Sequence, residues 1–171
     1  VVEETDVEVD AEAEGTQGFN QQIVHVVDDG TWYENVTVSL SGELTIQSEQ
    51  GQGHVFVDAQ QNGSAFEVQS GNVTLYALNV LNGSADNGGG VYCLPGVALK
   101  LWDCNFDSCV ANYAGGAVFA SDGGTLIVEN TVFGGPNGQC TAESQGGDVY
   151  VQSLESATFT DASFNGGRAE E

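Results

Sequence analysis

Four cysteines, Cys93, Cys104, Cys109 and Cys140, carry the most distinctive chemistry in this sequence. None forms a Cys-x-x-Cys pair, and an even count without metal-ligand spacing points to two disulfides rather than a metal site. A second chemistry is marked by four Asn-x-Ser/Thr sequons, at Asn35, Asn62, Asn72 and Asn82, each an acceptor for an N-linked glycan. Disulfides and glycans belong together in oxidising, extracellular surroundings, so a secreted glycoprotein is expected. The chain has no Met, and Val1 is expected to be a processed terminus from which a signal peptide was removed.

Groups suited to catalysis or metal binding have plainer readings beside the chemical one. Asp28-Asp29-Gly30 can bind a cation, yet Asp-Asp-Gly is also an ordinary corner, and the corner is favoured. Asp103, Asn130 and Asp161 recur at one corner of successive repeats; they can chelate calcium through oxygen, or form a hydrogen-bonding ladder, which is the favoured reading. His25 and His54 have no Ser, Cys or second His at triad or metal spacing. Tyr76, Tyr92, Tyr150 and Trp102 fall on the outward phase of their segments, as a carbohydrate-stacking face or as scattered surface aromatics. No cofactor is expected, with calcium the one open alternative.

Charge narrows the partners. The 171 residues hold 25 Asp and Glu against 2 Lys and Arg, a formal charge of -23. Phosphates cannot be neutralised by so few cations, which argues against nucleic acid. No polybasic segment addresses an anionic membrane, and no apolar run approaches the 18 or so residues of a spanning helix. The two cations are Lys100 and Arg168, which leaves nothing to stabilise a developing oxyanion or hold an acidic sugar, so the chain is not expected to be an enzyme.

The elements that position these groups emerge from a repeat. Leu75, Leu101, Val128 and Phe159 are spaced by 26, 27 and 31 residues, and Val80, Phe106, Phe133 and Phe164 by the same intervals. Phe66, Val91, Val118 and Val149 follow at 25, 27 and 31, accompanied by Val68, Cys93, Ala120 and Val151. Three short alternating segments per repeat, separated by turn residues with Gly71, Gly96 and Gly123 at a recurring corner, predict three strands per coil. Stacked coils with apolar columns filling the lumen describe a parallel β-helix of about five to six coils, roughly 25 to 30 Å long at about 4.8 Å per coil. Residues 19–171 form this all-β domain. Residues 1–18 form an acidic tail in which Val7, Val9, Ala11 and Ala13 alternate with Glu8, Asp10, Glu12 and Glu14, the period of a strand that can add to an unpaired sheet edge.

Several phrases also carry a family likeness. Val26-Val-Asp-Asp-Gly-Thr-Trp-Tyr-Glu-Asn-Val-Thr-Val38 resembles the opening strand and turn of pectin-lyase-like right-handed β-helices. Gly88-Gly-Gly-Val-Tyr-Cys93, Gly115-Gly-Ala-Val-Phe-Ala120 and Gly146-Gly-Asp-Val-Tyr-Val151 resemble the GGA[IVL] element of chlamydial-type polymorphic outer-membrane protein repeats. The likeness covers about residues 20–167 and implies a right-handed β-helix. It also implies the enzymes' machinery of acidic clusters, calcium and an Arg base, for which only Arg168 is present.

The longer last repeat places Cys140 in an inserted loop, where it can bridge to Cys109 one coil earlier, while the inward positions of Cys93 and Cys104 suit a second bridge. Four cysteines nevertheless allow three pairings. Asn62 and Asn82 are expected in turns before the third strand of successive coils, and Asn35 and Asn72 just before the first. The final coil is expected to stop after Phe164 without a further strand or cap. An uncapped lumen beside a strand-like tail predicts a homopolymeric fibre, built head to tail by donation of Val7 to Ala13. The alternatives are a monomeric adhesin or carbohydrate-binding module, then a pectin-lyase-like enzyme.

Overall fold

A computed structural model describes residues 21–26 and 30–169. The first two coils hold β1 (Gln21–Val26), β2 (Gly30–Trp32) and β3 (Val36–Val38), then β4 (Glu43–Ser48), β5 (Val55–Asp58) and β6 (Phe66–Val68). The third adds a strand: β7 (Asn72–Tyr76), β8 (Leu78–Leu81), β9 (Ser84–Asn87) and β10 (Val91–Cys93). The fourth repeats that plan with β11 (Ala98–Trp102), β12 (Asn105–Asp107), β13 (Val110–Ala114) and β14 (Val118–Ser121). β15 (Thr125–Glu129), β16 (Val132–Phe133), β17 (Thr141–Ala142) and β18 (Val149–Gln152) make the fifth. β19 (Ser156–Thr160), β20 (Ser163–Phe164) and β21 (Arg168–Ala169) begin a sixth.

Corresponding strands of successive coils pair in parallel and form four sheets, ordered β1-β4-β7-β11-β15-β19, β2-β5-β8-β12-β16-β20, β3-β6-β10-β14-β18 and β9-β13-β17-β21. This is a parallel β-helix of about five turns, the fold class read from the sequence. The register reproduces the apolar columns residue by residue. Leu75 pairs with Leu101, Leu101 with Val128 and Val128 with Phe159. Val80, Phe106, Phe133 and Phe164 likewise align, as do Phe66, Val91, Val118 and Val149. Alternation places these side chains in the lumen, where Leu75, Leu101, Val128, Val80, Phe106 and Phe133 are fully buried. The rings of Phe106 and Phe133 stack at 5.2 Å, and Phe133 stacks on Phe164 at 5.0 Å.

Corners are fixed by residues that tolerate a left-handed backbone. Between the first and second strands of coils three to six stand Ala77, Asp103, Asn130 and Asp161, with φ of 58°, 54°, 47° and 51°. Asp and Asn enter that conformation at lower cost than most side chains, which explains their recurrence there. Gly71, Gly96 and Gly123 make the turn back to the first strand, with φ of 96°, 81° and 83°.

Two expectations are corrected. Three strands per coil separated only by turn residues were expected, but the stretch between Ser108 and Gly116 contains β13, and coils three to five carry four strands. Their fourth sheet owes its pairing to the neighbouring coils' backbone rather than to apolar alternation: Ala111 pairs with Ala85 and Ala142. Nor is the chain after Phe164 without a strand, since Arg168 and Ala169 of β21 pair with Thr141 and Ala142. The tail residues Val7, Val9, Ala11 and Ala13, together with Asp28 and Asp29, lie outside the described residues.

Candidate functional site

Lys100 stands at an outward strand position and has side-chain partners there. Lys100 on β11 places its Nζ 2.8 Å from Glu129 Oε2 and 5.0 Å from the centre of the Trp102 ring. Its charge is therefore already engaged by a carboxylate and an aromatic face. Arg168 sits on β21 at the edge of the fourth sheet, in another sheet from Lys100. Among the described residues, no group of three or more His, Cys, Asp or Glu side chains is arranged to hold a metal ion. In the Asp103, Asn130 and Asp161 column the inter-coil hydrogen bonds run through the backbone: Asp103 N donates to Glu129 O at 3.1 Å and Asn130 N to Thr160 O at 3.0 Å. His54 is exposed on the turn before β5.

The outward aromatics form two groups. Tyr92, Phe119 and Tyr150 ladder up the third sheet at 5.5 and 5.3 Å, Phe119 and Tyr150 with rings 19° from parallel. Phe119 and Tyr150 turn their faces to one another, which is poor geometry for a sugar stacking between them, while Tyr92 is tilted 42° from Phe119. Trp102 is the exposed member of the other group; Tyr76 leans on it at 4.7 Å. Phe119 was missed in the sequence, although its place one repeat from Tyr92 and from Tyr150 marked it.

Of the sequons, Asn62 and Asn72 are exposed at a turn and at the start of β7. Asn82 is half-buried, its Nδ2 donating to Asp58 Oδ1 at 3.1 Å. Asn35 is exposed, and its Nδ2 donates to Ser64 O at 2.7 Å. Its expected place is corrected: Asn35 precedes β3, in the third sheet, not the first strand of a coil, and so lies over the Asn62 turn rather than beside Asn72.

The most unusual surface is the C-terminal coil. Among the described residues, β18, β19, β20 and β21 are the last strands of the four sheets, with one neighbour each. Residues of the lumen columns surface there: Val151 is 41 % exposed, Phe159 40 % and Phe164 49 %. The rings of Phe159 and Phe164 meet at a 56° tilt with centres 5.9 Å apart, making one apolar patch on strands that have no further partner among the described residues.

Beneath that patch lies a cysteine pair. Thr141 N donates to Cys109 O at 2.9 Å, and the register Val110 to Thr141 sets Cys109 directly under Cys140 in adjacent coils. Both are fully buried. Cys109 Sγ donates to the carbonyls of Val80 and Asp107 at 3.8 and 3.6 Å, and the interaction between the two neighbouring thiols raises Cys109 and lowers Cys140 relative to an ordinary thiol. The loop carrying Cys140 is tied down by the buried Asp107, which accepts Asn137 N and Asn137 Nδ2, each at 2.9 Å. Cys93 and Cys104 are also buried, and burial pushes each thiol up to about 12. Cys104 Sγ donates to the carbonyls of Leu75 and Trp102 at 3.3 and 3.4 Å. All four cysteines stand as thiols, and among the described residues no hydrogen bond joins Cys93 to Cys104.

Asp148 completes this region. The inward position held by Gly90 and Ala117 in the third and fourth coils is an aspartate in the fifth, buried, with Oδ1 unpartnered. Burial raises its pKa more than the Gly167 N–H lowers it. Because the folded-state value lies above the unfolded value of about 3.9, the folded state binds this proton more tightly. That stabilisation is fully present below the unfolded value and is lost as pH rises through the folded one. Asp148→Asn is therefore expected to raise the thermal midpoint at pH 7 and to give no gain near pH 3.5. Melting curves at the two pH values check this.

The fold and these features define the class: a parallel β-solenoid with an apolar terminal coil and an inter-coil dithiol. No protein-family model matches the chain, and no solved structure matches it. Among curated proteins it is similar to the probable autotransporter YfaL of Escherichia coli K12, 30 % identical over 133 residues. That match takes in 72 % of this chain but only 9 % of the relative's length.

Proposed function

We propose that this chain is a non-catalytic structural segment of an extracellular β-helix, and that copies stack head to tail into a fibre through the C-terminal coil. The carrying observation is the exposure of Val151, Phe159 and Phe164 on β18, β19 and β20, among the described residues the last strands of three of the four sheets. The other end offers a complement. Trp32 of β2 occupies the same column as Phe164, so coil-on-coil stacking sets an aromatic ring against the open face of Phe164. The tail Val7 to Ala13 has the alternation to add a strand beside β19. Likeness to a probable autotransporter supports display outside the cell, where glycans at Asn35, Asn62, Asn72 and Asn82 would hydrate the coat. The engaged state of Lys100 supports a role without catalysis.

Negative-stain microscopy and light scattering test this on the whole chain, on Phe164→Glu and on a form lacking residues 1–18, at about 0.15 M salt, where exposed charges are screened beyond about 8 Å. Filaments are expected for the whole chain and not for Phe164→Glu. Their loss without residues 1–18 assigns the joint to strand donation, and their persistence assigns it to direct stacking of coils. Monomers in all three samples overturn the fibre. The exposed Trp102 then favours the second reading, a carbohydrate-binding or adhesin module, for which glycan-array binding lost in Trp102→Ala is the check.

A further inference from the structure

The cysteine pair allows an inference independent of the fibre. We propose that Cys109 and Cys140 close into a single cystine that staples two successive coils and pins the loop between β16 and β17, while Cys93 and Cys104 remain thiols.

The geometry is that of a parallel ladder. Side chains at paired positions on neighbouring parallel strands point the same way, with backbones about 4.8 Å apart. That separation falls inside the roughly 4.4 to 6.8 Å window between Cα atoms joined by a disulfide. The position is bracketed by Gly83 below and Gly167 above in the same column, so the two sulfurs meet each other and not a longer ladder of side chains. Asp107 holds the incoming loop through Asn137, so Cys140 arrives already aligned. Asp148, in the same coil as Cys140, faces Gly167 of the next: a side chain at Gly167 would collide with its carboxylate.

The chemistry balances with a small-molecule disulfide such as oxidised glutathione as oxidant. Cys140 Sγ, as the thiolate, attacks one sulfur; the S–S bond breaks, a glutathione thiolate leaves, and it takes up the proton that Cys140 released. Cys109 Sγ then attacks the Cys140 sulfur of the mixed disulfide, and the second glutathione leaves with the Cys109 proton. The two protein thiols lose two electrons, and the oxidant gains them as two thiols. The interaction with Cys109 lowers Cys140, marking it as the first attacker. Both sulfurs are buried, so exchange takes place while the 134–139 loop is lifted, and closing the bond removes that opening. Cys93 and Cys104 differ in register: Cys93 pairs with Val68 and Ala120 in the neighbouring coils, and Cys104 stands level with Leu78 and Thr131, so the ladder sets no second cysteine against either.

The test equilibrates the whole protein with reduced and oxidised glutathione mixtures, blocks thiols under denaturing conditions and maps peptides without reduction. Chymotrypsin suits this chain, since cleavage after Trp102, Phe106, Tyr113 and Phe133 puts the four cysteines on separate peptides. One linked pair is expected, residues 107–113 with the peptide carrying Cys140. The oxidised form is expected to melt about 10 °C above the reduced form, from closure of a loop of about 30 residues. Cys140→Ser should abolish both the link and the shift, whereas Cys93→Ala should leave both intact. A cystine that includes Cys93 or Cys104, or four alkylated thiols under oxidising mixtures, overturns the proposal. A Cys109–Cys140 link without the shift in melting overturns the stapling role.

Discussion

Phe133→Ala is expected to lower the unfolding free energy by about 3 to 5 kcal/mol, the range for deleting a buried aromatic ring from a core that cannot collapse around the loss. The rigidity follows from the architecture. Phe133 is fully buried between Phe106 at 5.2 Å and Phe164 at 5.0 Å, and the hydrogen-bonded ladders on all sides hold the coils at fixed spacing. A hole in one coil therefore stays a hole, and two ring stacks are lost with it. Against a typical total of about 5 to 15 kcal/mol, this is a large fraction. Phe164→Ala provides the comparison, because 49 % of Phe164 is already in solvent and it stacks on one ring of the column. Its expected cost is about 1 kcal/mol. Urea unfolding of the two variants reads the difference as a change in midpoint. Equal losses would mean that the terminal coil is as well covered as the fifth.

The columns were legible because a solenoid's register and its lumen impose the same constraint. A position paired with its equivalent one coil away must be apolar in every coil, so spacings of 26, 27 and 31 residues identify pairs such as Leu101 with Val128 and Val128 with Phe159. Corners were legible where the backbone demands glycine, as at Gly96 and Gly123. What escaped notice lacked that double constraint. β13 holds Val110, Asn112 and Tyr113 exposed beside the buried Ala111, a weak alternation whose strand character is supplied by the coils above and below. Asn35 was misplaced because the first coil passes from β2 to β3 through residues 33–35 alone and does not follow the later spacing. Asp148 had a readable signal, an acid third in Gly-Gly-x where the preceding repeats carry Gly90 and Ala117, but its consequence needed the lumen around it. The register that sets Cys109 under Cys140 could be reached by counting the insertion, while the inward phase shared by Cys93 and Cys104 did not show that one lies on β10 and the other between β11 and β12.

Those Gly-Gly-x phrases carry the second large effect. Gly116→Ala is expected to cost at least about 3 kcal/mol, at or beyond the top of the usual range for overpacking, and to leave little folded protein. Gly116 has no left-handed φ, so the requirement is one of space and not of conformation. A Cβ there would overlap the Gly147 carbonyl oxygen and the Thr141 backbone of the next coil. Each is main chain held in an inter-coil ladder: Gly116 N donates to Gly147 O at 2.9 Å, and Thr141 N to Cys109 O. Neither can withdraw without breaking the hydrogen bonds that define the coil spacing, and withdrawal would also part Cys109 from Cys140. Gly89 meets the same restriction one coil below, against Val110 and the Gly116 carbonyl, so the narrow approach recurs along the fourth sheet. Gly123→Ala separates the two glycine roles. Its φ is +83°, yet nothing lies within 4 Å of the added atom, so only the left-handed backbone penalty of about 1 to 2 kcal/mol applies. Urea midpoints and soluble yield measured side by side should rank Gly116→Ala far below Gly123→Ala. The reverse order would mean that the coils at this corner can part, and that the close approach of main chain to main chain is not what holds β13 and β17 in place.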